Sequence, residues 1–147
     1  ATFSPSSVEG LTVTAGISNK DLNDGLNTTS DTSTVMGRIV YSMGAVSAGY
    51  QVAEIDAGAA GTASTDVNAF SVAFNVNENL AISYGEYDKE LNAIGATAAV
   101  TEESTGISVA YTTGAASVRM TRNDSDNDGH TVGNEQQVTE ISVVLAF

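Results

Sequence analysis

Eight stretches of this chain alternate apolar and polar residues with a period of two, and no stretch repeats every 3.6 residues. A strand turns successive side chains to opposite faces, so this pattern predicts β-strands with one apolar face. The expected strands are roughly 10–19, 33–43, 45–55, 67–76, 79–88, 104–112, 115–122 and 137–147. One face carries, for example, Leu11, Val13 and Ile17, then Val35, Ile39 and Tyr41, then Phe70, Val72 and Phe74. The other carries Thr12, Thr14 and Ser18, then Arg38 and Ser42, then Ser71, Ala73 and Asn75. The ending "EISVVLAF" obeys the same rule, with Ile141, Val143, Leu145 and Phe147 on one side.

The connections sort by length. "SMGA", "VNENL" and "TTGAA" are short, while "KDLNDGLNTTSDT", "DAGAAGTAST", "DKELNAIGATAAVTEES" and "NDSDNDGHTVGNEQQ" are long and polar. Short turns at one end and long loops at the other are the layout of an outer-membrane β-barrel. Strands running toward the short turns each end near an apolar-face aromatic: Tyr41, Phe74, Tyr111 and Phe147, at intervals of 33, 37 and 36 residues. Such rings form a girdle where hydrocarbon meets water. The expected fold is therefore all-β: a transmembrane antiparallel up-and-down barrel, with eight strands in this chain. A soluble β-sandwich would explain the alternation but neither the ring of aromatics nor the sorted loops.

Composition narrows the function. Eighteen acids against five bases give a net charge of -13, which argues against nucleic acid as a partner. Most of the acids fall in the long connections, so a negative vestibule is expected there. There is no Cys, hence no disulfide framework or thiolate metal site. No apolar run approaches the ~18 residues a membrane helix needs, and the start "ATFSPSSVEG" has no signal-peptide pattern. That start reads as a turn between strands.

Two motifs invite chemical readings. "DSDNDGHTVGNE" has acids at 124, 126 and 128, then Gly129, with Glu135 in twelfth place. This matches the EF-hand pattern of oxygen ligands at alternate positions. The flanks are strands, not helices, so two readings stay open: a solvated acidic hairpin loop, or a calcium site in an outer loop held by Asp124, Asp126 and Asp128. His130, the single His, lies in the same loop without a nucleophile or orienting acid. No catalytic residue, enzyme activity or other cofactor is expected.

The whole chain resembles the C-terminal half of a general diffusion porin of Gram-negative bacteria, of the alphaproteobacterial type. The resemblance is carried by "SPSSVEGLTVTAGIS", "FSVAFNVNENLAISYGEYD", "GISVAYTTGAASVRMTRND" and the ending. Phe147, with Leu145, Val143 and Ile141 before it, is similar to the C-terminal signature of outer-membrane proteins; Thr139 stands where an aromatic is common. The resemblance implies half of a sixteen-stranded barrel and a homotrimer. It also implies contact with outer-membrane lipid and lipopolysaccharide, and recognition of Phe147 by the barrel-assembly machinery. The implied function is passive diffusion of small hydrophilic solutes and ions through a water-filled channel in the bacterial outer membrane. The family's constriction loop belongs to the other half of the barrel. Arg38 and Arg119, the inward bases of the expected strands, would then line the pore; pairing with a lumen acid such as Glu140 is the other reading of them. A complete eight-stranded barrel, acting as an anchor or adhesin through its loops, is the alternative. Against it stands an inward face of Ser, Thr, Ala and Gly, too small to fill so narrow a barrel.

Overall fold

The fold is that of a computed structural model, which describes residues 1–20, 31–56, 58, 62–95 and 97–145. It is a single sheet of antiparallel strands in strict chain order. The strands are β1 (Thr2–Phe3), β2 (Leu11–Lys20), β3 (Thr32–Met43), β4 (Val46–Asp56), β5 (Thr65–Asn75), β6 (Leu80–Leu91), β7 (Val100–Thr113), β8 (Ala116–Asp126) and β9 (Glu135–Leu145). A single turn of 3-10 helix, η1 (Asp128–His130), follows β8. Among the described residues there is no α-helix.

Each expected strand is present, and the short pair β1 adds a ninth. Phe3 faces Val13 and Thr2 faces Thr14, so β1 lies along the free edge of β2. The strands run further toward the long connections than alternation alone suggests. β6 continues to Leu91, β7 starts at Val100, β8 reaches Asp126 and β9 starts at Glu135. Apart from the facing pair Leu91 and Val100 these extensions are polar, so the alternation fades there while the backbone ladder carries on.

The short turns have local causes. β3–β4 and β7–β8 are joined by Gly44-Ala45 and Gly114-Ala115. Both glycines have positive φ, 58° and 54°, as two-residue hairpins with the right twist require. The β5–β6 turn is closed by Asn77, whose side-chain oxygen accepts from the backbone N–H groups of Asn79 (2.8 Å) and Leu80 (2.9 Å).

The sheet does not close into a barrel, and β2 and β9 are not paired. Nor does it fold over a core. Val67, 6% exposed, is the one buried hydrophobic residue among those described, while Ile17, Val35, Phe70, Ile107, Ile141 and Val143 stand exposed.

Candidate functional site: the two faces of the sheet

Residues directly opposite in an antiparallel pair point to the same side. The register therefore sorts every strand residue onto one of two faces. One row of paired positions runs Leu11, Tyr41, Ala48, Val72, Tyr84, Ile107, Arg122, Thr139. A row on the other face runs Thr14, Arg38, Gln51, Ala69, Tyr87, Ser104, Ser125, Gln136.

On the apolar face a hydrophobic band gives way to acids toward the long connections. The last apolar residues of the band are Ile17, Val35, Val52, Phe70, Tyr84, Ile107, Met120 and Ile141, from β2 to β9. This edge stays level at Ile17–Val35, Tyr84–Ile107 and Met120–Ile141. At the other steps it falls by two residues, because Val35 faces Glu54, Val52 faces Asn68, Phe70 faces Glu86 and Ile107 faces Arg122. The edge thus drops eight residues over seven strand steps. At about 3.3 Å per residue and about 4.8 Å per strand, it is inclined by about 38° to the hydrogen-bonded rows.

Tyr41, Phe74 and Tyr111 all lie on this face, exposed, beside the short turns. Each sits two residues lower in the rows than the one before, two strands on. Their line slopes by about 35°, parallel to the upper edge of the band. Phe147 lies outside the described residues.

Charge is divided between the faces. Within β2 to β9 the apolar face holds ten acids: Glu54, Asp56, Asp66, Glu86, Asp88, Glu90, Glu103, Asp124, Asp126 and Glu135. Its single base is Arg122, whose Nε donates to Asp124 Oδ2 at 3.1 Å. The opposite face is built mainly of Ser, Thr, Ala and Gly. It holds four bases, Lys20, Arg38, Lys89 and Arg119, against two acids, Glu102 and Glu140. A hollow of 380 Å³ spans β3 to β6 on this side, bordered by Arg38, Ser47, Gly49, Ser71, Ser83 and Gly85.

Arg38 projects from mid-band height, between Gly37 and Ile39, and Arg119 from just below the upper edge of the band, between Val118 and Met120. Arg119 faces Ala110 and Ser142, while Glu140 faces Thr121. The two are diagonal neighbours, and the ion pair formed among the described residues is Arg122–Asp124 instead. Lys89 escaped the alternation pattern because β6 was expected to stop at residue 88. In the sheet it faces Val67 and Glu102.

The acids of the EF-hand-like motif are drawn out rather than curled together. Asp124 and Asp126 belong to β8, and Asp128 to η1. Alternate residues of a strand stand about 6.6 Å apart, and no three acidic, His or Cys side chains converge among the described residues. Asp124 is also taken by Arg122 and by Gln137, which donates to its Oδ1. The loop itself is organised by Asn127, which donates to Thr101 O at 3.0 Å and accepts from Gly133 N at 2.9 Å.

No family model matches the chain, and neither a curated protein nor a solved structure is similar enough to it to mark a relative.

Proposed function

We propose that this chain is a wall of a transmembrane β-barrel in a bacterial outer membrane, the C-terminal half of a sixteen-stranded, trimeric general diffusion porin. It would pass small hydrophilic solutes and ions down their gradients, with size and charge as filters. One observation carries the reading: the inclined hydrophobic band backed by a face of small polar residues. A membrane is a flat slab, and barrel strands cross it at 35–45°. The levels of the slab must then cut obliquely across the hydrogen-bonded rows. Both the upper edge and the aromatic line do so, at about 38° and about 35°. A soluble sandwich has no reason to incline its core in this way.

The small-residue face supports a water-filled lumen. Arg38 would line it at mid-membrane height and Arg119 nearer the upper edge of the band, with Glu140 beside Arg119 and Lys20 and Lys89 nearer the mouth. The acids lie mostly on the lipid side above the band, so the expected negative vestibule becomes a negative outer collar. That collar would face lipopolysaccharide, with Phe147 as the segment offered to the assembly machinery. Asp124, Asp126 and Asp128 remain a calcium site only if the loop rearranges.

The edges favour a wide barrel over the eight-stranded anchor. β1 already occupies the edge of β2 that β9 would need. β1 and β9 also run in the same direction, so an antiparallel cylinder needs an odd number of further strands. Sixteen strands require seven. Reconstitution into planar bilayers tests the reading: stepwise, ohmic conductance is expected. Stable insertion without conductance would replace the pore by the anchor.

A further inference from the structure

On the small-residue face one row across the sheet is nearly without side chains. It runs Val40, Gly49, Ser71, Gly85, Gly106, Asn123 from β3 to β8. Gly49, Gly85 and Gly106 are not among the glycines of positive φ, so no turn calls for them. A Cβ at Gly85 would meet ordinary contacts, 3.4 Å from Phe70 O and 3.8 Å from Ser71 Cβ. What these glycines leave is room. Over β7 and β8 the room is taken, since a Cβ at Gly106 would lie 2.7 Å from Asn123 Oδ1. Over β3 to β6 it stays open as the hollow of 380 Å³.

Arg38 stands at the rim of this hollow, and Ser47, Ser71 and Ser83 line it. Ser47 is steadied by Ser42, with 2.9 Å between their Oγ atoms. Arg38 is exposed, and its cross-strand neighbours are Thr14 and Gln51. From β2 to β6 its face carries Lys20, Arg38 and Lys89 and no acid, because the acids of β4, β5 and β6 all point to the other face. Lys89 faces Glu102 of β7, whereas Arg38 has no acid beside it on its face among the described residues. A guanidinium in this setting takes a carboxylate or phosphate with two parallel N–H donors. Serine hydroxyls both donate and accept, so they suit the hydroxyl groups of a polyol. The volume is that of a small-molecule pocket.

From these observations we infer that the hollow over β3–β6 is a saturable binding site for a small hydroxylated oxyanion, a sugar phosphate or sugar acid. Arg38 holds the acidic group, and Ser47, Ser71 and Ser83 take hydroxyls. The site rests on the pore reading above for its access to solute. It adds a preference that size and net charge do not give, since an anion is held by a chain of net charge -13.

Titration calorimetry of the whole protein in non-ionic detergent tests the site. The probes, at fixed ionic strength, are glucose 6-phosphate, gluconate, glucose and inorganic phosphate. Glucose 6-phosphate or gluconate should bind with a dissociation constant on the order of 10⁻³ M, about tenfold below that of glucose, the size of one charge-assisted contact. Arg38→Gln should bring that ratio to about one, while Arg119→Gln, which removes the same charge from β8 on the same face, leaves it unchanged. Gly85→Val, which fills the hollow and keeps Arg38, should weaken glucose 6-phosphate and spare inorganic phosphate. A ratio near one for both oxyanions in the unaltered protein, or one that survives Arg38→Gln, overturns the site. Equal loss in Arg119→Gln overturns it too, since binding would then follow the charge of the whole face. Unchanged glucose 6-phosphate binding in Gly85→Val overturns the hollow as its seat. Bilayer conductance without saturable binding leaves the pore and removes the site, and binding without conductance leaves the site on a wall that is not a pore.

Discussion

At the residue scale, single side chains matter through where the register puts them. Gly10 shows the steric side of this. Its φ is +82°, and a Cβ there would lie 1.9 Å from the backbone oxygen of Ser42, whose N–H donates to Gly10 O at 2.9 Å. Gly95 also has positive φ, but a Cβ there meets nothing within 4 Å. Gly10→Ala should therefore destabilise the folded protein by about 1–3 kcal/mol more than Gly95→Ala, the range for forced backbone strain. Urea unfolding in lipid vesicles reads the difference, and equal midpoints would remove the close approach. Arg38 and Arg119 show the electrostatic side. Both are exposed on a face with two more bases than acids. Changing both to Gln should shift the reversal potential in a salt gradient toward cation preference. An unchanged potential would mean that neither faces the permeation path.

At the scale of the strand, the two faces should tolerate opposite substitutions. Val72 sits in the middle of the hydrophobic band, and Ala73, its neighbour in β5, points to the small-residue face beside Ser83 and Ser47. Val72→Arg should cost about 2–4 kcal/mol, as a charge on the lipid side of a barrel does near mid-membrane. Ala73→Arg should be folded nearly as well as the parent. Comparable unfolding of the two variants in vesicles would contradict the assignment of faces. A one-residue slip in any pairing would exchange these outcomes for the strands beyond it, so the pair of variants also tests the register.

For the whole molecule, the question is what the sheet edges meet. The chain has no Cys, so engineered pairs report without background. An Ile17→Cys, Ile141→Cys double variant places thiols on the apolar face of β2 and β9, both at the upper edge of the band. Self-closure into eight strands would bring these edges together, within the short reach of a disulfide. No intramolecular bond should form under oxidation in the membrane. Efficient crosslinking would show that β9 displaces β1 and closes the small barrel. On the proposed membrane reading an open edge in hydrocarbon is not sustainable, since each unpaired peptide group there costs several kcal/mol. That reading therefore requires partner strands that continue the same inclined band.

Alternation of apolar and polar residues is a local property, and it was enough to locate every long strand, the short turns and the shared face of Tyr41, Phe74 and Tyr111. It was also enough to place Arg38, Arg119 and Glu140 on one face, because parity along a strand survives any pairing. It could not find the polar ends of β6 to β9. There the ladder is held by backbone hydrogen bonds that leave no hydrophobic trace, so Asp124 and Asp126 read as loop and Lys89 was overlooked. Distances across strands depend on register, which is a relation between distant segments. That is why Arg119 and Glu140 could be expected to pair but stand diagonal. The slope of the band belongs to the same class: each strand carries its own apolar stretch, but only the pairing of all eight shows that the stretches line up at an angle to the rows.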